Sequence, residues 1–104
     1  SIYGYSLTEN NDEYLGEYKT EAKDGFGICK TNQRKGEIEI YIGNYINNIK
    51  AGEGMCLKIF SLEGTTLIDY DFIVGNFDIG GLRDGKIFSV KNGEETLYKG
   101  KDIN

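Results

Sequence analysis

The sequence predicts an all-β protein, an antiparallel meander of stacked β-hairpins in one elongated or curled sheet. Three observations predict it. Composition comes first: 15 Gly, 8 Tyr and 5 Phe stand beside no Pro and no Trp, a balance that suits a repetitive antiparallel sheet better than a helical bundle. The second is the stretch from Tyr41 to Gly54, YIGNYINNIKAGEG. Tyr41, Gly43 and Tyr45 are spaced two apart, so an extended chain points them to one face. Asn47-Asn48 then supplies a turn, because Asn tolerates left-handed backbone angles, and Gly52 and Gly54 follow on the return strand. The third is recurrence: Tyr14 precedes Gly25 by eleven positions, as Tyr41 precedes Gly52, and Gly27 matches Gly54.

The elements follow in order within a single domain, 1–104. Residues 1–13 read as a partial unit, a return strand from Ile2 to Leu7 and a polar turn. The first repeat, about 14–40, holds Tyr14, Gly16, Tyr18, a loop from Lys19 to Asp24, then Gly25-Phe26-Gly27. The second, 41–72, is the template. In the third, 73–97, Ile73 and Phe77 replace the tyrosines around Gly75, Gly80-Gly81 forms the turn, and one extra residue shifts Gly85 from the place of Gly52. Tyr98 and Gly100 begin a fourth copy, truncated over 98–104. Between units lie the turn glycines Gly36, Gly64 and Gly93, the last in Asn92-Gly93, a strong hairpin signal. The central glycines Gly16, Gly43, Gly75 and Gly100 are spaced 27, 32 and 25, a period that marks a repeat array. Glycine within a strand is costly, so the spaced pairs mark close approach of another group. Here that group is a tyrosine ring.

Tyr-x-Gly-x-aromatic, a turn, Gly-x-Gly and a later turn glycine resemble the MORN (membrane occupation and recognition nexus) repeat. Tyr14, Gly16, Tyr18, Gly25 and Gly27 match the pattern, as do Tyr41, Gly43, Tyr45, Gly52 and Gly54. In the third copy Gly75, Phe77, Gly80 and Gly85 match, while Ile73 and Lys86 depart. The resemblance covers residues 14–100 as a divergent member. It implies one hairpin per repeat and a scaffold in place of a catalyst. A lone hairpin is marginal in water, so each unit leans on its neighbours and the end units fray or are capped.

The chemistry excluded is as informative. With no histidine, the usual general base and the commonest metal ligand are missing; no enzyme activity and no cofactor are expected. Cys29 and Cys56 each lie two after the second glycine of their unit, which places them on one face, two strands and roughly 10 Å apart. That exceeds disulfide reach, so they are expected as free thiols packing beneath rings. Gly25-Phe26-Gly27 and Gly52-Glu53-Gly54 open no helix and carry no Walker lysine, so they are not nucleotide loops. Asp69, Asp71, Asn76, Asp78 and Asp84 match no EF-hand spacing and read as solvated turn residues. The formal charge of −5 argues against nucleic acid and anionic membrane, and only Lys30, Arg34, Lys35, Lys50 and Lys58 offer a basic cluster. No apolar run approaches the roughly 20 residues of a membrane helix. The chain begins at Ser1, so a leader could precede it; a cytoplasmic site is favoured over an exported one.

One stretch is left for function. Ile38, Ile40 and Ile42 lie on the face opposite Tyr41 and Tyr45, and Met55, Leu57 and Ile59 alternate likewise on return. In the first unit that face carries Glu13, Leu15, Glu17 and Lys19. Either the sheet curls and buries the isoleucines, or they form a contact surface for a second copy or another protein. The reading is a non-catalytic protein-interaction or assembly module. A glycan-binding surface on the tyrosine-lined face is the alternative, and lipid binding ranks below it.

Overall fold

Asn47 and Asn48 take backbone φ angles of 47° and 70°, the geometry a two-residue hairpin turn demands. The flanking strands pair at once, Ile46 opposite Ile49 and Tyr45 opposite Lys50. Asn92 and Gly93 repeat the device at φ 52° and 79°, joining Lys91 to Glu94. A chain built of such turns becomes a meander. The computed structural model describes residues 2–79 and 81–103. Its strands are β1 (Ile2–Leu7), β2 (Glu13–Lys19), β3 (Ala22–Asn32), β4 (Ile38–Ile46), β5 (Ile49–Glu63), β6 (Thr66–Asp78), β7 (Gly81–Lys91) and β8 (Glu94–Ile103). They lie in sequence order in one antiparallel sheet that is not closed. A single tight turn, Arg34–Gly36, separates β3 from β4.

One glycine from each strand forms a ladder across the sheet. Gly4, Gly16, Gly27, Gly43, Gly54, Gly75, Gly85 and Gly100 are successive cross-strand partners. Beside it runs a second row on the same face: Ser6, Tyr14, Cys29, Tyr41, Cys56, Ile73, Ile87 and Tyr98. Tyr14 and Tyr41 of this row lie along their own strands over the glycines. A Cβ at Gly43 or Gly54 would stand 2.6 Å from the Tyr41 hydroxyl, and one at Gly27 would enter the Tyr14 ring. Because β3 offers only Gly27 there, Tyr14 of β2 and Tyr45 of β4 meet across it, with ring centroids 5.5 Å apart. Tyr41 and Phe77 meet in the same way over Gly54 at 5.3 Å. Glycines on alternate strands thus let the aromatic rings form one continuous layer.

That layer is the core: Tyr14, Tyr41, Tyr45, Cys29, Cys56, Ile73, Phe77 and Leu82 are all buried. The hairpin tips are tied as well. Asn47 and Asn48 of the β4–β5 turn bond to Asp24 and Lys23 of β3, Asn92 N–H donates to Asp69 Oδ1 at 2.9 Å, and Asn32 N–H donates to Asp12 Oδ1 at 2.7 Å.

The structure corrects three details of the sequence reading. The expected loop Lys19–Asp24 is a turn between Lys19 and Ala22, and β3 begins before Asp24. Gly85 pairs with Gly75, so it corresponds to Gly27 and Gly54, the second return glycines, and not to Gly52. The third hairpin is one residue shorter because its bulge is smaller: Arg83 alone separates Asp84 from Leu82 where these pair with Asn76 and Phe77. Gly52, finally, meets no ring: nothing lies within 4 Å of a Cβ there, and its φ of +78° is what demands glycine. The Gly80 half of the expected Gly80-Gly81 turn lies outside the described residues, and Gly81 opens β7.

Candidate interaction surface

Pleating sends alternate residues to opposite faces, and the two faces here have opposite fates. On the tyrosine face, Tyr14, Tyr41 and Tyr45 are only 2%, 1% and 4% exposed. Their rings pack edge to face from Tyr18 through Tyr14, Tyr45 and Tyr41 to Phe77. Tyr14 Oη donates to the Glu17 carbonyl at 2.8 Å, and Tyr41 Oη makes the equivalent bond to Asn44 at 2.9 Å. Burial pushes both phenols up to about 12 and raises Tyr45 further. Lysines cover what remains. Lys23 Nζ stands 5.3 Å from the Tyr14 ring centre and 5.5 Å from that of Tyr45, while Lys50 Nζ lies 5.2 Å from Tyr41 and 2.6 Å from Glu39. With their faces turned to one another and to these lysines, the three buried rings leave no open platform for a sugar.

Cys29 and Cys56 flank Tyr41 in the buried row, both as free thiols. Burial, reinforced by the Glu39 carboxylate, pushes the Cys56 thiol up to about 12. A thiol so held is a packing group and no nucleophile at neutral pH.

The opposite face is open. Tyr5, Leu15, Ile28, Ile42, Met55 and Val74 form one row across β1 to β6. Ile40, Leu57, Phe72, Phe88 and Leu97 form the next, and Ile38, Ile59, Tyr70 and Val90 a third. Leu15 is 56% exposed, Ile28 41%, Met55 42% and Phe72 40%. Ile38, Ile40 and Ile42, the residues singled out in the sequence, are half-buried by each other and by their β5 partners. Ile59 is buried, at the point where the β5–β6 pairing slips. Beside Ile42, Met55 and Val74 a shallow groove of about 560 Å³ opens, walled by Phe26 and floored by Gly43 and Gly54. No strand or helix among the described residues lies over this face, since all eight strands belong to the one sheet.

The acidic residues noted in the sequence are engaged in structure. Asp69 accepts from Ser61 and from Asn92 N–H, which together hold its carboxyl below its ordinary range. Asp71 accepts from Ser89 Oγ at 2.6 Å and Lys91 Nζ at 3.0 Å, Asp84 from Asn76, and Asp78 from Arg83. Among the described residues, no group of three His, Cys, Asp or Glu side chains is placed to hold a metal ion.

Sequence reasoning missed four participants. Lys23 and Lys50 each lie two before a return glycine, Gly25 and Gly52, so the repeat itself carried their signal. Gly4 belonged to the same ladder but sat in a unit too short to align. Leu82 had no signal, because its place opposite Phe77 depends on the smaller third bulge. Neither the protein-family models nor the curated proteins searched contain a match to this chain.

Proposed function

We propose that this chain is a non-catalytic protein-interaction or assembly module built from MORN-like hairpin repeats. The observation that carries the reading is the apolar face opposite the tyrosines. A chain of 11.7 kDa exposing 7010 Å² has more surface than the roughly 5,900 Å² that area–mass scaling gives a compact monomer. The excess reflects an open sheet with nothing stacked on its second face, and a contiguous row of exposed apolar side chains such as Leu15, Ile28 and Met55 is typical of a face that another macromolecule covers. The Tyr-x-Gly-x-aromatic spacing, the hairpin per repeat and the glycine ladder support the resemblance to MORN arrays. The absence of histidine from the sequence and the engaged state of the carboxylates support a role without catalysis.

The test is a double substitution in mid-face, Ile40→Lys with Ile42→Lys. The expected result is a chain that keeps its far-UV β-sheet spectrum and cooperative melt while losing binding of a hydrophobic dye. A variant that unfolds would overturn the reading, because the isoleucines would then be internal core.

A further inference from the structure

The sheet has two edges as well as an open face. We infer that copies of this chain join head to tail through those edges, β8 of one copy pairing with β1 of the next, so that the ring-on-glycine layer runs on from copy to copy. The inference goes beyond the interaction-module reading, which stands on the apolar face alone.

Among the described residues, no strand pairs with the outer side of β1 or of β8. An edge strand is kept from pairing by charge, by proline or by a bulge. β1, IYGYSL, has none of these, and its Tyr3 and Tyr5 are 74% and 58% exposed. Direction fits as well. Successive strands are antiparallel and the sheet has eight of them, so β1 of a following copy runs opposite to β8. Such a contact leaves each copy with a free edge, and copies add in series.

The two edges hold complementary halves of one arrangement. Within the chain, Tyr14 of β2 meets Tyr45 of β4 across Gly27, and Tyr41 of β4 meets Phe77 of β6 across Gly54. On β1, Gly4 has a ring on one side only: Tyr18 stands 3.0 Å from a Cβ placed there, and its hydroxyl donates to Ser6 Oγ at 2.9 Å. On β8, Tyr98 occupies the row of Tyr14 and Tyr41 and is 51% exposed, with no glycine strand beyond it. Continuing both rows sets Gly100 opposite Gly4 and Tyr98 opposite Ser6 of the next copy. Tyr98 then meets Tyr18 across Gly4, as Tyr14 meets Tyr45 across Gly27. On the open face the same register sets Leu97 opposite Leu7, 55% and 56% exposed. Lys99, whose partner in its own chain is Lys86, gains as neighbours Tyr5 and the Glu13 carboxylate that holds the Tyr5 hydroxyl. Glu95 falls opposite Glu9, which lies past the end of β1. Pairing β1 with β1, or β8 with β8, brings no Tyr98 ring to Gly4.

The contact is one strand wide, smaller than a stable interface, so it forms as concentration rises. The test mixes two single variants of different isotopic mass, Leu7→Cys and Leu97→Cys, in thiol-exchange buffer at high concentration. Peptide mass mapping reads which positions link, and circular dichroism checks the fold of each variant. The expected product joins position 7 of one chain to position 97 of the other, in about tenfold excess over either like-with-like product, because only facing positions come within disulfide reach. Adding Tyr98→Ala to the Leu97→Cys chain should lower that yield about two- to tenfold, the worth of one aromatic pair, with the melt of the dilute chain unchanged. No linkage, random linkage, a like-with-like product in excess, or a yield that Tyr98→Ala does not move overturns the inference. The unmodified chain supplies a second measurement. Amide exchange in β1 and β8 should be fast in dilute solution and slow as concentration rises, and edge exchange that is the same at every concentration overturns the inference too. The Ile40→Lys, Ile42→Lys result judges the apolar face separately.

Discussion

At the scale of single residues, the decisive pairing is a tyrosine ring on a glycine. The ring supplies apolar burial, and the glycine supplies the room that lets rings on alternate strands touch. Gly54→Val should therefore force Tyr41 off its bond to Asn44 and cost on the order of 1–3 kcal/mol through overpacking. Glu94→Val, at an exposed strand start, should change stability little. Chemical denaturation of both variants checks the difference, and equal small effects would remove the ring-on-glycine account. The same burial predicts alkaline behaviour. Tyr14 and Tyr41 ionise near 10 when unfolded and at about 12 when folded, so the folded state prefers the protonated phenols. Their contribution to stability is complete below pH 10 and is lost as pH rises towards 12. Ultraviolet titration should show the Tyr14 and Tyr41 phenols still protonated above pH 10 and ionising only towards 12, together with unfolding. Ordinary titration of every tyrosine in the folded chain would contradict the buried layer.

At the scale of the element, turn chemistry sets each hairpin. Asn47-Asn48 and Asn92-Gly93 suit their left-handed angles. The β2–β3 turn does not: Thr20 holds φ 60°, where a β-branched side chain costs about 1–2 kcal/mol. Thr20→Asn should recover most of that and raise the melting temperature, whereas an unchanged or lower value would mean the turn relaxes by another route. The hairpins also show how much of the elements the sequence carried. The period of Tyr14 and Tyr41 located the strands of the first two repeats, because ring, glycine and turn residues recur at fixed offsets. In the third copy that reading slipped by one place at Gly85. Bulge size is set by how Asn76 and Phe77 pair with Asp84 and Leu82, and nothing local in the sequence encodes it.

At the scale of the whole molecule, each strand hydrogen-bonds only to its neighbours in the meander, and the rings of Tyr14, Tyr45, Tyr41 and Phe77 reach one strand further, so stability is shared mainly along one dimension. The ends are weakest. On β1, Ile2 and Tyr3 are 67% and 74% exposed, whereas Tyr41 of β4 and Cys56 of β5 are each 1% exposed. Amide hydrogen exchange should therefore be fastest in β1 and β8 and slowest across β4 and β5. Uniform protection from edge to edge would indicate a single closed cooperative unit instead.

By itself the sequence determined the sheet, the order of its strands and the row of tyrosines, because those follow from side-chain period and turn residues, which are local. It placed Ile38, Ile40 and Ile42 together on the face opposite Tyr41 but could not decide whether that face was covered. Only the tertiary structure decided it. The rings of Tyr14, Tyr45, Tyr41 and Phe77 close on one another across glycines of the strands between them, and this seals the tyrosine face. Which face a sheet buries depends on contacts between residues such as Tyr14 and Tyr45, 31 positions apart in the chain, and on the twist that brings them together.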